Sequence, residues 1–490
     1  MQPGFLRRHV RIWTLPDRLQ LEPDLAGRRI GHELPLRRAS DRLLHDVLHH
    51  PGAVPGSAWS WCDRRRTVIV FVSSFIALLC ISAPIIVALG GCSLAYALIV
   101  GNMPLTTLIQ TTFGGLATFP LLAIPLFMLA GNLMNAGGMT PVLIDFARLL
   151  LGHIRGGLGH ATIVACAVFA AISGAAVATA VAIGVVMIPA MHKSGYDDDV
   201  AAALTCTASC MGPIIPPSIP FIIYGVAANV SIGALFLGGV FPGILLGLSL
   251  MIYVYYVASR RNYPKDPRVP VKDTLVATWK ALPALFMPIL IMGGILSGMF
   301  TPTEAAGISV IYAACVGAFV YRRLTLRNLP DVLLKAGLES GMVMMLIAMS
   351  EPFAWIVAVD QIPQVLIEWI SSLTTSPWVI LLMINFFLLL LGIPMETAPA
   401  LVIVTPVLAP IAVNLGIDPV HIGIVICLNL VLGLITPPVG AVLFAVCGVA
   451  DITLDRLSKA IWAPFAVSLA VLLIVTYFPW LTTFLPRVFM

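Results

Sequence analysis

From about residue 67 onward the chain is a succession of long apolar runs, with polar residues in short groups between them. Runs of this length fit helices that cross a membrane, and they are too long and continuous for alternating outer-membrane strands. The pattern predicts spans over 67–90, 92–110 and 119–136. Asp145, Arg148 and His153 interrupt the next run, so 139–151 reads as an interfacial helix. Residues 158–192 are too long for one span and carry Ser173-Gly174 at their middle. They predict a re-entrant hairpin that turns there. A helix broken in two follows over 198–228, with halves 200–212 and 219–228, and then a full span over 232–258.

The second half repeats the plan. Spans are expected over 282–297, 305–320 and 341–359, and an interfacial helix over 364–371. There Val365-Leu-Ile-Glu368 answers Val142-Leu-Ile-Asp145. A second hairpin is expected over 377–414, turning near 392–397. A second broken helix covers 418–449, with halves 422–433 and 439–449, and a last span covers 461–484. The two repeats are therefore 67–258 and 281–490. A shift of 221 residues carries Gly212 onto Gly433, Pro216-Pro217 onto Pro437-Pro438, Asp197 onto Asp418 and Pro189 onto Pro410, without a gap. Proline removes a backbone donor and pushes its predecessor out of helix, so each Pro-Pro marks a break at mid-run. Backbone left unpaired in hydrocarbon is tolerated only against protein, water or an ion. Two such breaks at matching positions point to the binding site of a secondary transporter.

Charge sets the expected orientation. Arg148, Arg155, Lys193, Arg322, Arg323, Arg327, Lys335, Arg456, Lys459 and the basic linker 259–280 should face the cytoplasm. That works only if the first hairpin enters from the cytoplasm and the second from outside, which makes the repeat an inverted one. Residue 67 and Met490 then lie outside, and Arg64-Arg65-Arg66 would fall on the wrong side. Residues 1–66 differ in kind, with twelve arginines, no lysine and five of the nine histidines. They read as a disordered extension or a misplaced start, with an amphipathic membrane anchor as the other reading.

Composition agrees with a polytopic all-α membrane protein: 59% of residues are hydrophobic and 10% charged, against about 25% charged in soluble domains. The cysteines sit singly in apolar runs, so no disulfide framework is expected. There is no phosphate-binding loop, zinc motif or dinucleotide fingerprint, so the energy source should be an ion gradient. His160, His192 and His421 read as interfacial. Glu304, Glu339, Glu351, Asp360 and Glu368 can each be placed near an interface. Glu396 sits at the turn of the second hairpin, where it could orient the turn or balance a cation.

The turns and breaks are built from Ser, Thr, Gly, Asn and Pro. Such a site offers carbonyls and hydroxyls, which suit Na⁺, and free N–H groups at half-helix starts, which suit an anion. One Na⁺ site is expected from Ser173, Gly174, Gly212, Pro213, Pro216 and Pro217. A second is expected from Gly392, Thr397, Gly433, Thr436, Pro437 and Pro438. Ala175, Thr179, Ser218, Glu396, Asn429 and Gly440 are candidates for the substrate. Trp355 and Trp369 are expected to anchor a fixed frame at the membrane interface. The rival reading of the small residues is helix packing.

Four stretches, Ile172-Ser-Gly-Ala-Ala-Val-Ala-Thr179, Gly212-Pro-Ile-Ile-Pro-Pro-Ser218, Gly392-Ile-Pro-Met-Glu-Thr397 and Asn429-Leu-Val-Leu-Gly-Leu-Ile-Thr-Pro-Pro-Val-Gly440, resemble the large membrane (M) subunit of the tripartite ATP-independent periplasmic (TRAP) transporters. The resemblance covers about 67–490. It implies an elevator-type importer of the ion-transporter superfamily in the bacterial inner membrane, with Na⁺ as coupling ion and no other cofactor. It also implies a small four-helix Q subunit, a soluble periplasmic binding protein and an organic-acid substrate, with no nucleic acid. The family often reads Ser-Gly-Ser at the first turn. Ala175 replaces the second Ser here, leaving only its carbonyl. A stand-alone Na⁺/anion symporter and a membrane-embedded enzyme are the other classes considered.

Overall fold

A computed structural model describes residues 61–81, 83–100, 103–263, 265, 270–373 and 376–490, side chains excepted at 61–68, 271 and 369–373. The expected extension 1–66 therefore falls outside the described residues, apart from the backbone of 61–66. Among the described residues all regular structure is helical. Eight helices among the described residues are long and apolar enough to span a membrane.

Prolines set several boundaries that hydropathy alone misplaces. The expected span 67–90 is two helices, α1 (Trp61–Cys80) and α2 (Ile85–Val100), because Pro84 opens the second. The expected span 92–110 is likewise divided: Pro104 precedes α3 (Leu105–Leu116), which is a separate helix. Pro lacks the N–H that a helix interior needs, and that N–H is not used in a first turn. The run 119–136 opens as a short 3-10 turn and becomes α4 (Ala123–Ala136). At the other end, 461–484 is divided at Phe478-Pro479 into α19 (Leu454–Tyr477) and α20 (Trp480–Phe489).

The interfacial α5 (Met139–Leu151) leads into α6 (Gly157–Ser173) and α7 (Ala176–Lys193), which form the first hairpin. The first broken helix is α8 (Asp198–Ser209) and α9 (Ile219–Ala227). The long α10 (Ile232–Arg260) and α11 (Val271–Leu296) leave only about ten residues between them. Much of the expected linker 259–280 is therefore helix. Its charged positions Lys272, Asp273 and Lys280 lie exposed on the first turns of α11, where a helix can carry charge without burying it.

The second half continues with α12 (Pro302–Cys315), α13 (Leu329–Val359) and α14 (Ile362–Leu373). A Thr301–Glu304 capping box starts α12: the Thr301 N–H donates to Glu304 Oε2 at 2.8 Å and the Glu304 N–H to Thr301 Oγ1 at 3.3 Å. This explains one expected interfacial carboxylate as a helix start. The second hairpin is α15 (Pro377–Gly392) and α16 (Thr397–Asn414). The second broken helix is α17 (Pro419–Gly433) and α18 (Ala441–Ala450).

Two packing groups result. Helices α1–α4, α12 and α13 pack on one another, with α4 against α12 and α13, and α11 against α5 and α12. They are called the frame here. The hairpins and broken helices pack on α10 and α19 and form the block. The two meet where α4 touches α6 and where α13 touches α16. At the first meeting a Cβ on Gly131 would stand 3.4 Å from the Ser173 Cα, so a small residue lets the frame lie on the hairpin turn.

Candidate functional site

The 221-residue register survives in three dimensions. The second hairpin arms, Ala176–Lys193 and Thr397–Asn414, are each 18 residues long and start at matched positions. Asp197 and Asp418 flank the matched starts of α8 and α17. The two breaks also touch: Cys210 Sγ lies 3.8 Å from the Val431 carbonyl, its own repeat partner.

Each hairpin turn presses on one break. At the first, Gly174 takes φ +63°, and a Cβ there would stand 3.0 Å from the Pro217 carbonyl oxygen. A Cβ on Gly212 would stand 2.9 Å from both the Ala175 carbonyl oxygen and Thr179 Oγ1. Ser173 Oγ and Thr179 Oγ1 are 3.0 Å apart, and Thr179 also donates to the Ala175 carbonyl at 2.8 Å. Ser173, Gly174, Ala175, Thr179, Gly212 and Pro217 are thus brought together. At the second, Gly392 and Gly433 meet backbone to backbone: a Cβ on Gly433 would lie 2.5 Å from the Gly392 Cα. The Pro216-Pro217 and Pro437-Pro438 segments carry the two breaks.

Several expected ligands also hold the local structure. Ser218 contacts the Pro213 carbonyl, and its hydroxyl accepts from the Phe221 N–H at 3.3 Å, capping α9. Thr436 donates to the Leu432 carbonyl at 2.9 Å. Gly440 is needed for close approach, since a Cβ would lie 2.2 Å from the Leu434 carbonyl oxygen. Asn429 points inward. Its Nδ2 donates to Asn385 Oδ1 at 2.8 Å and to the Asn385 carbonyl at 3.0 Å, and Asn385 Nδ2 donates to Thr476 Oγ1 at 3.0 Å. His421 joins the same network through Thr482 Oγ1 at 2.8 Å and the Thr476 carbonyl at 3.1 Å, so its ring is buried inside the block at the start of α17. Two oxygens here are buried without a partner, Asn429 Oδ1 and Thr397 Oγ1. Asn385→Ala should strip the Asn429 amide of its side-chain partner. It should cost about 1–3 kcal/mol, read as a lower unfolding midpoint of the purified protein in detergent. An unchanged midpoint would mean that the network adds nothing to stability.

Cavities lie between frame and block at both ends of α13. One, of about 430 Å³, reaches the hairpin turns: Ser173, Ala175 and Glu396 line it from the block, and Asn132, Lys335 and Glu339 from the frame. Glu339 Oε2 accepts from Asn132 Nδ2 at 2.8 Å, and Glu339 Oε1 is 4.0 Å from Lys335 Nζ. Another, of about 930 Å³, lies at the opposite end of α13 beside Glu351, Asn229 and Ser231. Trp355 lines it as well. Trp369 lies outside the described side chains. Sequence reading missed the group Asn132–Lys335–Glu339. Its one signal was the i, i+4 spacing of Lys335 and Glu339 within a predominantly apolar run.

Paired hairpins seated on paired broken helices define a membrane transporter of the same architecture as two solved transporters. The YdaH transporter of Alcanivorax borkumensis superposes with a TM-score of 0.56 at 16% identity, over 76% of this chain and 88% of that one. MtrF of Neisseria gonorrhoeae superposes with a TM-score of 0.55 at 11% identity, over 89% and 97%. The chain itself belongs to the family described as "Tripartite ATP-independent periplasmic transporter, DctM component", which matches residues 72–481. It is 42% identical to the isethionate TRAP transporter permease protein DctMQ of Oleidesulfovibrio alaskensis, over 94% of this chain and 72% of that protein. It is 44% identical to the C4-dicarboxylate TRAP transporter large permease protein DctM of Pseudomonas aeruginosa, over 75% and 86%. Identity to the sialic acid TRAP transporter large permease protein SiaM of Vibrio cholerae is 39%, over 81% and 93%. The chain is thus the large permease of a TRAP transporter, a multi-pass protein of the bacterial inner membrane.

Proposed function

We propose that this permease imports a small organic anion driven by Na⁺. A periplasmic binding protein delivers the anion, and a small membrane subunit is docked on the frame. The observation that carries the reading is the pair of partnerless buried oxygens, Thr397 Oγ1 and Asn429 Oδ1, in the second hairpin and the helix it presses on. Hard oxygens buried without donors suit an alkali cation. The Ala175 carbonyl, Ser173 and Thr179 at the first turn supply the same chemistry one repeat away.

The relatives carry isethionate, C4-dicarboxylates and sialic acid by name, which share a carboxylate or sulfonate. In the elevator reading the block travels along the frame with the site, and Gly131 on Ser173 is the sliding contact. Arg322, Arg323 and Arg327 stand at the start of α13, the end nearer Lys335. The positive-inside rule makes that end cytoplasmic, so the cavity at the hairpin turns is open inward. Uptake into proteoliposomes with the binding protein should rise more steeply than first order in Na⁺. Uptake unchanged by choline replacement of Na⁺ would overturn the reading.

A further inference from the structure

We infer that Lys335 is a cargo-contacting residue on the frame: its ammonium receives the carboxylate or sulfonate in the cavity between the hairpin turns and the cytoplasm. That the cargo is an organic anion rests on the function proposed above. The placement rests on the cavity. One wall is the pair of hairpin turns, through Ser173, Ala175 and Glu396, and the other is α4 and α13. Among the described residues lining it, Lys335 carries the one full positive charge, while Glu339 and Glu396 are carboxylates. An anion leaving the turns is repelled by two of these groups and attracted by one.

The lysine is held ready but not used up. Its Nζ stands 4.0 Å from Glu339 Oε1, beyond hydrogen-bond reach, and its side chain is 62% exposed. Glu339 is fixed through its other oxygen by the Asn132 amide at 2.8 Å. Asn132, Glu339 and Lys335 all belong to frame helices α4 and α13. An ammonium has three donors to offer an incoming oxyanion. Because the lysine stays with the frame, it meets the cargo only when the turns face this cavity. It therefore acts on release to the cytoplasm and on rebinding from it, and not on delivery from the binding protein.

The test uses Ala178→Cys, an exposed cavity position on α7, in the full chain cleared of native cysteines and reconstituted with its small subunit. The anionic probe is the 2-sulfonatoethyl methanethiosulfonate reagent, and the cationic control is its trimethylammonium analogue. With Lys335 present, the anionic rate should saturate with reagent concentration, and millimolar isethionate or succinate should slow it. Lys335→Gln should make the rate linear, remove the protection and lower the anionic-to-cationic rate ratio by roughly tenfold. Lys335→Arg should keep saturation and protection. The inference is overturned if labelling is already linear and unprotected with Lys335 in place, or if Lys335→Gln retains saturation and protection. Na⁺-driven uptake is measured in the same vesicles. Its absence with Lys335 intact would count against the proposed function, whereas the labelling outcome stands by itself.

Discussion

Gly433→Ala should abolish transport while the protein still inserts and folds. The added methyl would stand 2.5 Å from the Gly392 Cα, 2.7 Å from its carbonyl carbon and 2.9 Å from its oxygen. All three are backbone atoms, which cannot rotate away as a side-chain end can. Carbon atoms settle at about 3.5–4.0 Å, so the second hairpin turn must withdraw from the break by about an ångström. A displacement of that size at a preorganised site can cost about 100-fold in rate, and Na⁺-driven uptake should fall by that order. Gly448→Ala, on α18 of the same block, meets nothing within 4 Å and should keep uptake near the starting rate. Equal uptake by the two variants would show that the Gly392–Gly433 contact has no part in transport.

Gly131→Leu should stop the cycle at a different point. Gly131 faces the Ser173 backbone across the boundary of frame and block. A leucine there would drive its branch into the first hairpin turn. Overpacking of a close contact costs typically 1–3 kcal/mol, and it would be imposed each time the turn passes. Uptake should fall roughly tenfold or more, with the Na⁺ dependence of the remaining uptake unchanged. Labelling of Ala178→Cys from the cytoplasmic side should lose its response to Na⁺. Normal uptake by Gly131→Leu would mean that the turn does not slide along α4.

The hairpins were legible because their signals are local and repeated. Ser173-Gly174 and 392–397 each interrupt a run too long for one span, and the observed arms end within a residue or two of the expected limits. The breaks were legible because two Pro-Pro pairs fall in register. Side-chain direction was not legible. Asn429 lies in the motif that suggested a substrate ligand, yet it pairs with Asn385, 44 positions away on the first arm of the hairpin. Lys335 read as a marker of sidedness and Glu339 as a solvated carboxylate. Only the approach of α4, which brings Asn132 to Glu339, makes them parts of one wall. Helix boundaries drifted at Pro84 and Pro479, where a proline separates two helices within one apolar stretch, because hydropathy does not register a missing donor.

Asp197 and Asp418 are repeat partners in sequence with different company. Asp418 accepts from the N–H groups of Val420 and His421 at the start of its own helix. Asp197 is taken by the Tyr263 hydroxyl at 2.7 Å and by the Arg261 guanidinium, which hold its carboxyl below the usual carboxylate range, while Tyr196 stacks on Tyr263 at 4.2 Å. The chain leaving the first repeat is therefore tied to a helix start inside that repeat by a charged group, whereas in the second repeat the position matching Arg261 is Thr482, which is tied to His421 on the first turn of its helix by a hydroxyl–imidazole bond of 2.8 Å. The same joint is ionic in one half and neutral in the other, so the halves can share a blueprint and still not be interchangeable parts.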